Sequence, residues 1–311
     1  MNFVVTGGAG FIGSHLVDKL LSEGNHVICI DDLSSGYLSN LPENNNLSVW
    51  QVAIQDTKID ELPEIDGIFH LAAQASVPVS IENLYASSVN NLASSIYVLE
   101  MAKALSIPVV YASSSAIYGN LEIGDDEKIE FDILSPYALD KLTLENYAKL
   151  CCQIYGVSSI GLRFFNVYGP RQDPTNPYSG VISVFIDKFI QKQAVQINGG
   201  YQTRDFIYVR DIIKVLMLSM DKVRSTTLCE VFNVGTGIEI TIDDLYENLT
   251  EIFKYKPKIL RMSLPTGDPE RSSGNYKKLI NEYHLDLNDF THIKVGLKET
   301  VNYFKNHCIQ V

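Results

Sequence analysis

Six short apolar runs, at 3–6, 27–31, 48–53, 67–71, 108–112 and 158–164, punctuate the first half of the chain. Each has strand length, bounded by turn-forming or polar residues. Between them, at 11–23, 80–105 and 136–155, apolar residues recur at helical spacing. This rhythm predicts βαβ units and therefore an α/β fold with a doubly wound parallel sheet. After about residue 166 the texture changes, and Pro170, Pro174, Pro177, Gly180, Gly199 and Gly200 cut the chain into short elements. Helical periodicity returns at 181–192, 209–221, 241–254 and 295–306. A second, smaller and more irregular α/β lobe is expected there. The chain carries no repeat, low-complexity tract or long linker.

The first strand–helix–strand unit reads FVVTGGAGFIGSHLVDKLLSEGNHVICIDD over residues 3–32. Gly8, Gly10 and Gly13 form G-x-G-x-x-G, and Gly7, Gly10 and Gly13 form G-x-x-G-x-x-G. Glycines between a strand and a helix let a pyrophosphate approach the backbone, and the free N–H groups at the helix start, at Phe11 and Ile12, favour an anion. Asp31 closes the second strand, where a carboxylate accepts the two hydroxyls of an adenosine ribose and repels a 2′-phosphate. The expected cofactor is NAD rather than NADP.

A second constellation lies in Ser135-Pro136-Tyr137-Ala138-Leu139-Asp140-Lys141. Serine–proline suits a helix start, and Tyr137 and Lys141, four apart, share a helix face. A phenol ordinarily ionises near pH ~10. A neighbouring ammonium and a positively charged nicotinamide would both favour the phenolate, making Tyr137 a general base for a sugar hydroxyl. Just upstream, the strand at 108–112 runs into Ser113-Ser114-Ser115. Hydroxyls at the carboxyl end of such a strand face the ligand crevice of an open α/β sheet.

The bulk numbers narrow the partners. The 311 residues are 46% hydrophobic and 20% charged, enough for a large core. A net charge of −12 argues against nucleic acid and anionic membranes as partners, although local basic residues can still hold phosphates. Cys29, Cys151, Cys152, Cys229 and Cys308 are scattered without a C-x-x-C pair, as expected of free thiols in a reducing cytoplasm rather than of metal ligands. The first apolar run starts within three residues of Met1, so no signal peptide is expected. No apolar run has membrane-spanning length.

Along nearly its whole length the chain resembles the extended short-chain dehydrogenase/reductases that act on nucleotide sugars, specifically the UDP-hexose 4-epimerases. The resemblance rests on TGGAGFIG at 6–13, HLAA at 70–73, SSSAIYG at 113–119, YALDK at 137–141, RFFNVYGPRQDP at 163–174 and RDFIYVRD at 204–211. The last two regions look most like the branch handling UDP-N-acetylhexosamines. The resemblance implies an NAD-binding domain at 1–166 with a chain return at about 205–236, and a nucleotide-sugar lobe at 167–204 and 237–311. It implies Tyr137 as base, with Lys141 lowering its pKa and holding the nicotinamide ribose, and Ser114 bonding the sugar O4 with Ser115 in support. Ala72, in the HLAA segment, belongs to the implied cofactor contacts.

For the substrate, the resemblance implies Asn91 in the site wall, Asn166 and Arg204 on the UDP phosphates, and Asp268 of the Gly267-Asp268 pair near the sugar. Four residues beyond that aspartate stands a gate residue, bulky in enzymes restricted to plain hexoses. Here it is Ser272, which would admit a 2-acetamido group. There are departures. Ala53 replaces an adenine-bonding aspartate, leaving Asp56 as a substitute. Pro265 replaces a UDP-gripping arginine, with Arg261 and Arg271 as alternatives. Ser94 and Ser95 stand where glycine and threonine are usual.

The implied reaction is transient C4 oxidation to a 4-keto sugar and hydride return to the opposite face, on UDP-N-acetylglucosamine and its galacto isomer, or also on UDP-glucose and UDP-galactose. A dehydratase would carry an Asp-Glu pair where this chain has Ser115-Ala116. A UDP-uronate 4-epimerase or a 4-ketosugar reductase would share the named catalytic residues. A non-catalytic NAD sensor would need no tyrosine, lysine and serine together. Family members dimerise by pairing two helices per subunit, here about 85–105 and 136–155, so a cytoplasmic homodimer is expected.

Overall fold

The computed structural model describes residues 1–175, 180–264 and 269–307. Expectations placed on Pro177, Pro265, Gly267, Asp268 and Cys308 lie outside the described residues. In chain order, the first elements are β1 (Asn2–Thr6), α1 (Phe11–Ser22), β2 (His26–Ile30), β3 (Leu47–Trp50) and β4 (Gly67–His70). Then come α2 (Val77–Glu82), α3 (Leu84–Leu105), β5 (Val109–Ser114), β6 (Gly124–Asp125), α4 (Pro136–Tyr155), β7 (Ser159–Phe164) and β8 (Asn166–Tyr168). Next are α5 (Val181–Ile190), β9 (Val195–Asn198), β10 (Thr203–Tyr208), α6 (Val209–Ser225), β11 (Cys229–Val234) and β12 (Glu239–Thr241). The remainder is α7 (Ile242–Phe253), β13 (Ile259–Met262), β14 (Arg271–Ser272), β15 (Gly274–Asn275), α8 (Lys277–Tyr283) and α9 (Ile293–His307).

Two compact units are built from these elements. The first comprises Met1–Ile117, Ser135–Arg163 and Ile212–Phe232. Its seven-stranded sheet has the order β11-β7-β5-β4-β1-β2-β3. β1 runs parallel to both β2 and β4, and the pairs β2–β3 and β4–β5 are parallel too. Helices cover the central strands, so they read as continuous apolar runs rather than as alternating ones. Val4, Ile28, Ile68 and Val109 from the sheet meet Val98, Leu99 and Met101 of α3 and Leu144 and Ala148 of α4. Burying each such aliphatic side chain contributes about 1.5–3 kcal/mol.

The six apolar runs are the strands β1–β5 and β7, which with the added β11 make the doubly wound α/β sheet. The helical pattern at 80–105 is interrupted: Asn83 (φ −128°, ψ 58°) leaves helical geometry and separates α2 from α3. α4 has the ends its sequence calls for. The Ser135 hydroxyl accepts from Ala138 N at 3.2 Å, Pro136 takes the first turn, and Gly156 closes the helix in the left-handed region at φ 71°.

The second unit comprises Tyr118–Leu134, Phe164–Asp211 and Asn233–Val311. β10 is its hub. It pairs in parallel with β8 and β14 and antiparallel with β12. Two smaller parallel pairs, β9–β13 and β6–β15, complete its strands among the described residues, and α5, α7 and α9 pack on one another. Cys29, Cys151, Cys152 and Cys229 are free thiols. Among the described residues no helix is long and apolar enough to cross a membrane.

Candidate active site

The turn from β1 into α1 assigns its glycines separate tasks. Gly7 sits at φ +68°, and a Cβ there would strike the Ala72 backbone N at 2.7 Å. Gly8 lies against Cys29 Sγ, and Gly13 lies so close to the Gly7 carbonyl that a Cβ would stand 2.0 Å from its oxygen. Gly10 differs: a Cβ on it would meet only Gly7 O, at 3.2 Å, within 4 Å. Gly10 is also the cap of α1 and supplies no side-chain bond to the Phe11 and Ile12 end of the helix. A close-packed turn, an open approach over Gly10 and an uncapped helix start fit a dinucleotide pyrophosphate.

Asp31 follows β2 directly and is buried. Its Oδ2 accepts from Ala9 N and its Oδ1 from Leu33 N, each at 2.9 Å. Burial raises its pKa, while the Leu33, Ala9 and Gly10 N–H groups oppose the rise. The carboxylate is thus fixed at the strand tip, with lone pairs left for a ribose. Asp56 is exposed in the short turn after β3, and the neighbouring Ala53 is half-buried.

Ala72 is held by a relay that sequence reasoning missed. Thr6 Oγ1 accepts from Leu71 N and Ala72 N, both at 3.2 Å, so its proton goes to His70 Nδ1 at 2.8 Å. The imidazole proton therefore sits on Nε2, facing Ser95 Oγ at 3.2 Å, and Ser95 in turn donates to Asn91 O at 2.6 Å. Burial, then the Lys141 charge, pushes His70 down to about 3, so this histidine stays neutral.

The catalytic candidates come together where β5 ends against α4. Tyr137 and Lys141 are both buried on α4. The Ser114 side chain stands beside the Tyr137 hydroxyl and acts to lower the phenol's pKa, and Ser114 Oγ accepts from Ala116 N at 3.1 Å. Lys141 Nζ donates to Ala112 O at 2.9 Å and stands 5.7 Å from the centre of the Tyr137 ring. Ser80 Oγ accepts from Tyr137 N at 3.2 Å and fixes the first turn of the helix. Ser115 begins the short turn after β5.

One electrostatic expectation is corrected. The protein's own groups hold the Tyr137 phenol above its ordinary value instead of lowering it: burial is the largest cause, the Ser114 side chain opposes it, and the Asp140 charge adds to it. Lys141 is itself pushed down to about 8 by burial, against Asp140 and Glu145. A lysine sharing a helix face with a tyrosine does not, in a desolvated site, supply enough field to ionise it.

The substrate candidates divide. Asn91 is buried and occupied within the first unit. Its Oδ1 accepts from Gln74 N at 2.8 Å, and its Nδ2 donates to Gln74 O at 3.2 Å and Asp140 Oδ2 at 3.1 Å. It braces the loop after β4 against α4. In the second unit, Arg204 of β10 lies in register with Ser272 of β14, and Asn166 of β8 lies opposite Phe206 of β10. One sheet therefore gathers Asn166, Arg204 and Ser272. Arg204 Nη1 donates to Thr203 O and Pro269 O, each at 2.8 Å, and Asn166 Nδ2 donates to Asp205 O at 3.2 Å.

The two alternative phosphate arginines are engaged by acids. Arg271 grips Glu239 through Nε and Nη2, at 2.8 and 2.5 Å, and reaches Glu122 at 3.3 Å. Arg261 pairs with Asp243 at 2.6 Å. Both guanidinium groups are half-exposed.

Sequence reasoning also passed over Glu145 and Arg163. The signals were present: Glu145 continues the Tyr137, Lys141 series by one more turn, and Arg163 is a charge inside an otherwise apolar strand.

Comparison with known proteins gives the family. The family model described as the NAD dependent epimerase/dehydratase family matches residues 3–235. A putative UDP-glucose 4-epimerase of Methanocaldococcus jannaschii is 36% identical over 311 residues, covering 98% of each chain. The solved UDP-N-acetylglucosamine 4-epimerase of Methanobrevibacter ruminantium, in complex with UDP-N-acetylmuramic acid, superposes with TM-score 0.91 at 36% identity over 98% of each chain. UDP-glucose 4-epimerase of Thermotoga maritima, solved with UDP-glucose, gives TM-score 0.91 at 33% identity over 99% of this chain and 100% of that one. The chain belongs to the NAD dependent epimerase/dehydratase family, within its nucleotide-sugar 4-epimerases, and its cofactor is NAD.

Proposed function

We propose that this protein interconverts UDP-N-acetylglucosamine and UDP-N-acetylgalactosamine by epimerisation at C4. The observation that carries this reading is the Ser114–Tyr137–Lys141 cluster, built in the same unit as a glycine turn and an Asp31 carboxylate suited to NAD. Bound NAD⁺ supplies the hydride acceptor for C4 and a fixed positive charge beside the phenol. Tyr137 removes the O4 proton and later returns it, Ser114 holds the sugar oxygen against the phenol, and Lys141 orients the nicotinamide ribose. Gly7, Gly10, Phe11, Ile12 and Gly13 hold the pyrophosphate, Asp31 the ribose, and Asp56 and Ala72 line the adenosine and nicotinamide ends. Asn166 and Arg204 bind UDP. The test is incubation of purified protein with UDP-N-acetylglucosamine without added NAD. The galacto isomer is expected. A 4-keto-6-deoxy product would identify a dehydratase, and no turnover on this sugar with turnover on UDP-glucose or UDP-glucuronate would overturn the acetamido reading.

Support for the acetamido sugar comes from Ser272 and from the likeness to the Methanobrevibacter enzyme. A small hydroxyl on β14, next to Arg204, leaves room that a bulky ring would fill. Ser272→Tyr is expected to lower kcat/KM on UDP-N-acetylglucosamine roughly 10–100-fold more than on UDP-glucose, the range a mismatched pocket group commands. Equal losses on the two sugars would remove Ser272 from the gate.

The assembly proposed is a homodimer through α3 and α4. Tyr85, Val89 and Ile96 on α3, and Leu139, Tyr147, Leu150 and Ile154 on α4, are exposed apolar residues at helical spacing. Contiguous apolar surface of this kind marks an association face. Tyr85→Glu with Ile154→Glu is expected to convert a dimer into a monomer in sedimentation equilibrium. A monomeric parent protein would refute the assembly.

A further inference from the structure

Three consecutive residues at the end of β5 face three successive turns of α4. Ala112 O accepts from Lys141 Nζ at 2.9 Å, Ser113 Oγ donates to Glu145 Oε1 at 2.5 Å, and Ser114 stands beside Tyr137. Tyr137, Lys141 and Glu145 recur every four residues, so one helix face carries all three. Glu145 is held from a third element as well. Arg163 of β7, the neighbour of β5 in the sheet, donates from Nε to Oε1 at 2.9 Å and from Nη2 to Oε2 at 2.6 Å. The two side chains are only 5% and 6% exposed.

A buried ion pair is an expensive way to fill space, because both charges lose their water and apolar side chains of equal volume often serve stability as well. What distinguishes this pair is its place, one turn beyond Lys141 and bonded to the residue beside Ser114. We propose that Glu145, oriented by Arg163, is a positioning residue for the epimerisation: through Ser113 it fixes the strand end that presents Ser114 to Tyr137, and its negative charge helps keep Lys141 an ammonium. This rests on the 4-epimerase reading given above.

The charges around Lys141 define its field. From its own helix it faces Asp140, Glu145 and Tyr137. From β4 it faces His70, which burial keeps neutral. β5 presents the Ala112 carbonyl. Glu82 of α2 is exposed, and Glu100 and Lys103 of α3 bond each other. Asp140 shares its carboxylate with Asn91 Nδ2 at 3.1 Å. Removing the Glu145 charge therefore leaves burial less opposed, and the ammonium gives up its proton at lower pH.

The experiment measures kcat and KM against pH for full-length, NAD-loaded protein on UDP-N-acetylglucosamine, with Glu145→Gln, Ser113→Ala and Ser113→Thr. In Glu145→Gln, kcat at pH 8 is expected to fall roughly tenfold and the alkaline limb to move down by about one pH unit, with KM nearly unchanged. Ser113→Ala is expected to lose kcat with the limb in place, and Ser113→Thr, which keeps the hydroxyl, to recover most of it. A folded Glu145→Gln whose limb does not move, or a Ser113→Ala at full rate, overturns the proposal. If Glu145→Gln does not fold, the Ala and Thr variants of Ser113 decide it alone. Wild-type protein that fails to epimerise overturns the functional reading too, whereas active wild type with unmoved variants overturns only the role of Glu145.

Discussion

Tyr137→Phe is expected to reduce epimerisation at least ~10²-fold while leaving NAD bound, the loss typical when a positioned general base is removed. The phenyl ring keeps the buried volume on α4, so the fold has no reason to change. What disappears is the phenol oxygen proposed to receive the O4 proton. Initial rates by sugar analysis and NAD released on denaturation are the two measurements. A variant at full rate would take the tyrosine out of the mechanism. The same pair of proteins reports on ionisation. Because burial holds the phenol above its ordinary value and Asp140 adds to it, NAD-stripped protein should show the Tyr137 phenolate only at high pH. Loading NAD⁺ places a positive charge beside the ring, so the phenolate is favoured and its titration moves to lower pH. The ultraviolet difference between wild type and Tyr137→Phe, recorded with and without NAD⁺, isolates this one phenol. A titration that NAD⁺ leaves unmoved would mean that the cofactor's charge does not activate the base.

Gly13→Ala is expected to abolish tight NAD binding and to cost about 1–3 kcal/mol of stability, the range for forcing an extra methyl into packed structure. The added Cβ would stand 2.0 Å from Gly7 O and 2.8 Å from the Gly8 Cα. These are backbone atoms of the turn itself, so no side chain can swing away, and the turn must open. Gly24→Ala is the control. Gly24, unlike the helical Gly13, sits at positive φ, +78°, and its Cβ would meet nothing within 4 Å. That variant, strained in backbone where Gly13→Ala is crowded, should lose stability and keep NAD. Purified Gly13→Ala that retains a full complement of NAD would show that the cradle does not depend on this contact.

How much could be read in advance differs from element to element. β1, α1 and β2 were legible because their pattern is local: apolar run, glycine turn, helical period, second run, acidic tip. The Tyr137–Lys141 spacing and the Ser135-Pro136 start were legible for the same reason. The break at Asn83 was not, because the apolar period continues through it and only the backbone angles of one residue depart. The direction of the Tyr137 shift was also misjudged. The sequence displays the lysine four residues away but not the burial that governs both groups. Arg261 and Arg271 were visible as charges, but their pairing with Asp243 and Glu239 was not, because those acids meet them only in the fold.

By itself, the sequence determined the α/β alternation, the glycine turn between β1 and α1, the carboxylate of Asp31 at the tip of β2, and the helix face bearing Tyr137 and Lys141. Each of these depends on residues within a few turns or one βαβ unit of one another. Only the tertiary structure decided which charges are spent. It closed Glu145 on Arg163 and Ser113, bonded Asn91 to Gln74 and Asp140, and lined up Arg204 with Ser272. The physical reason is that desolvation and hydrogen-bond partnership are set by elements that meet in space after being far apart along the chain, and those two terms govern a side chain's charge and availability.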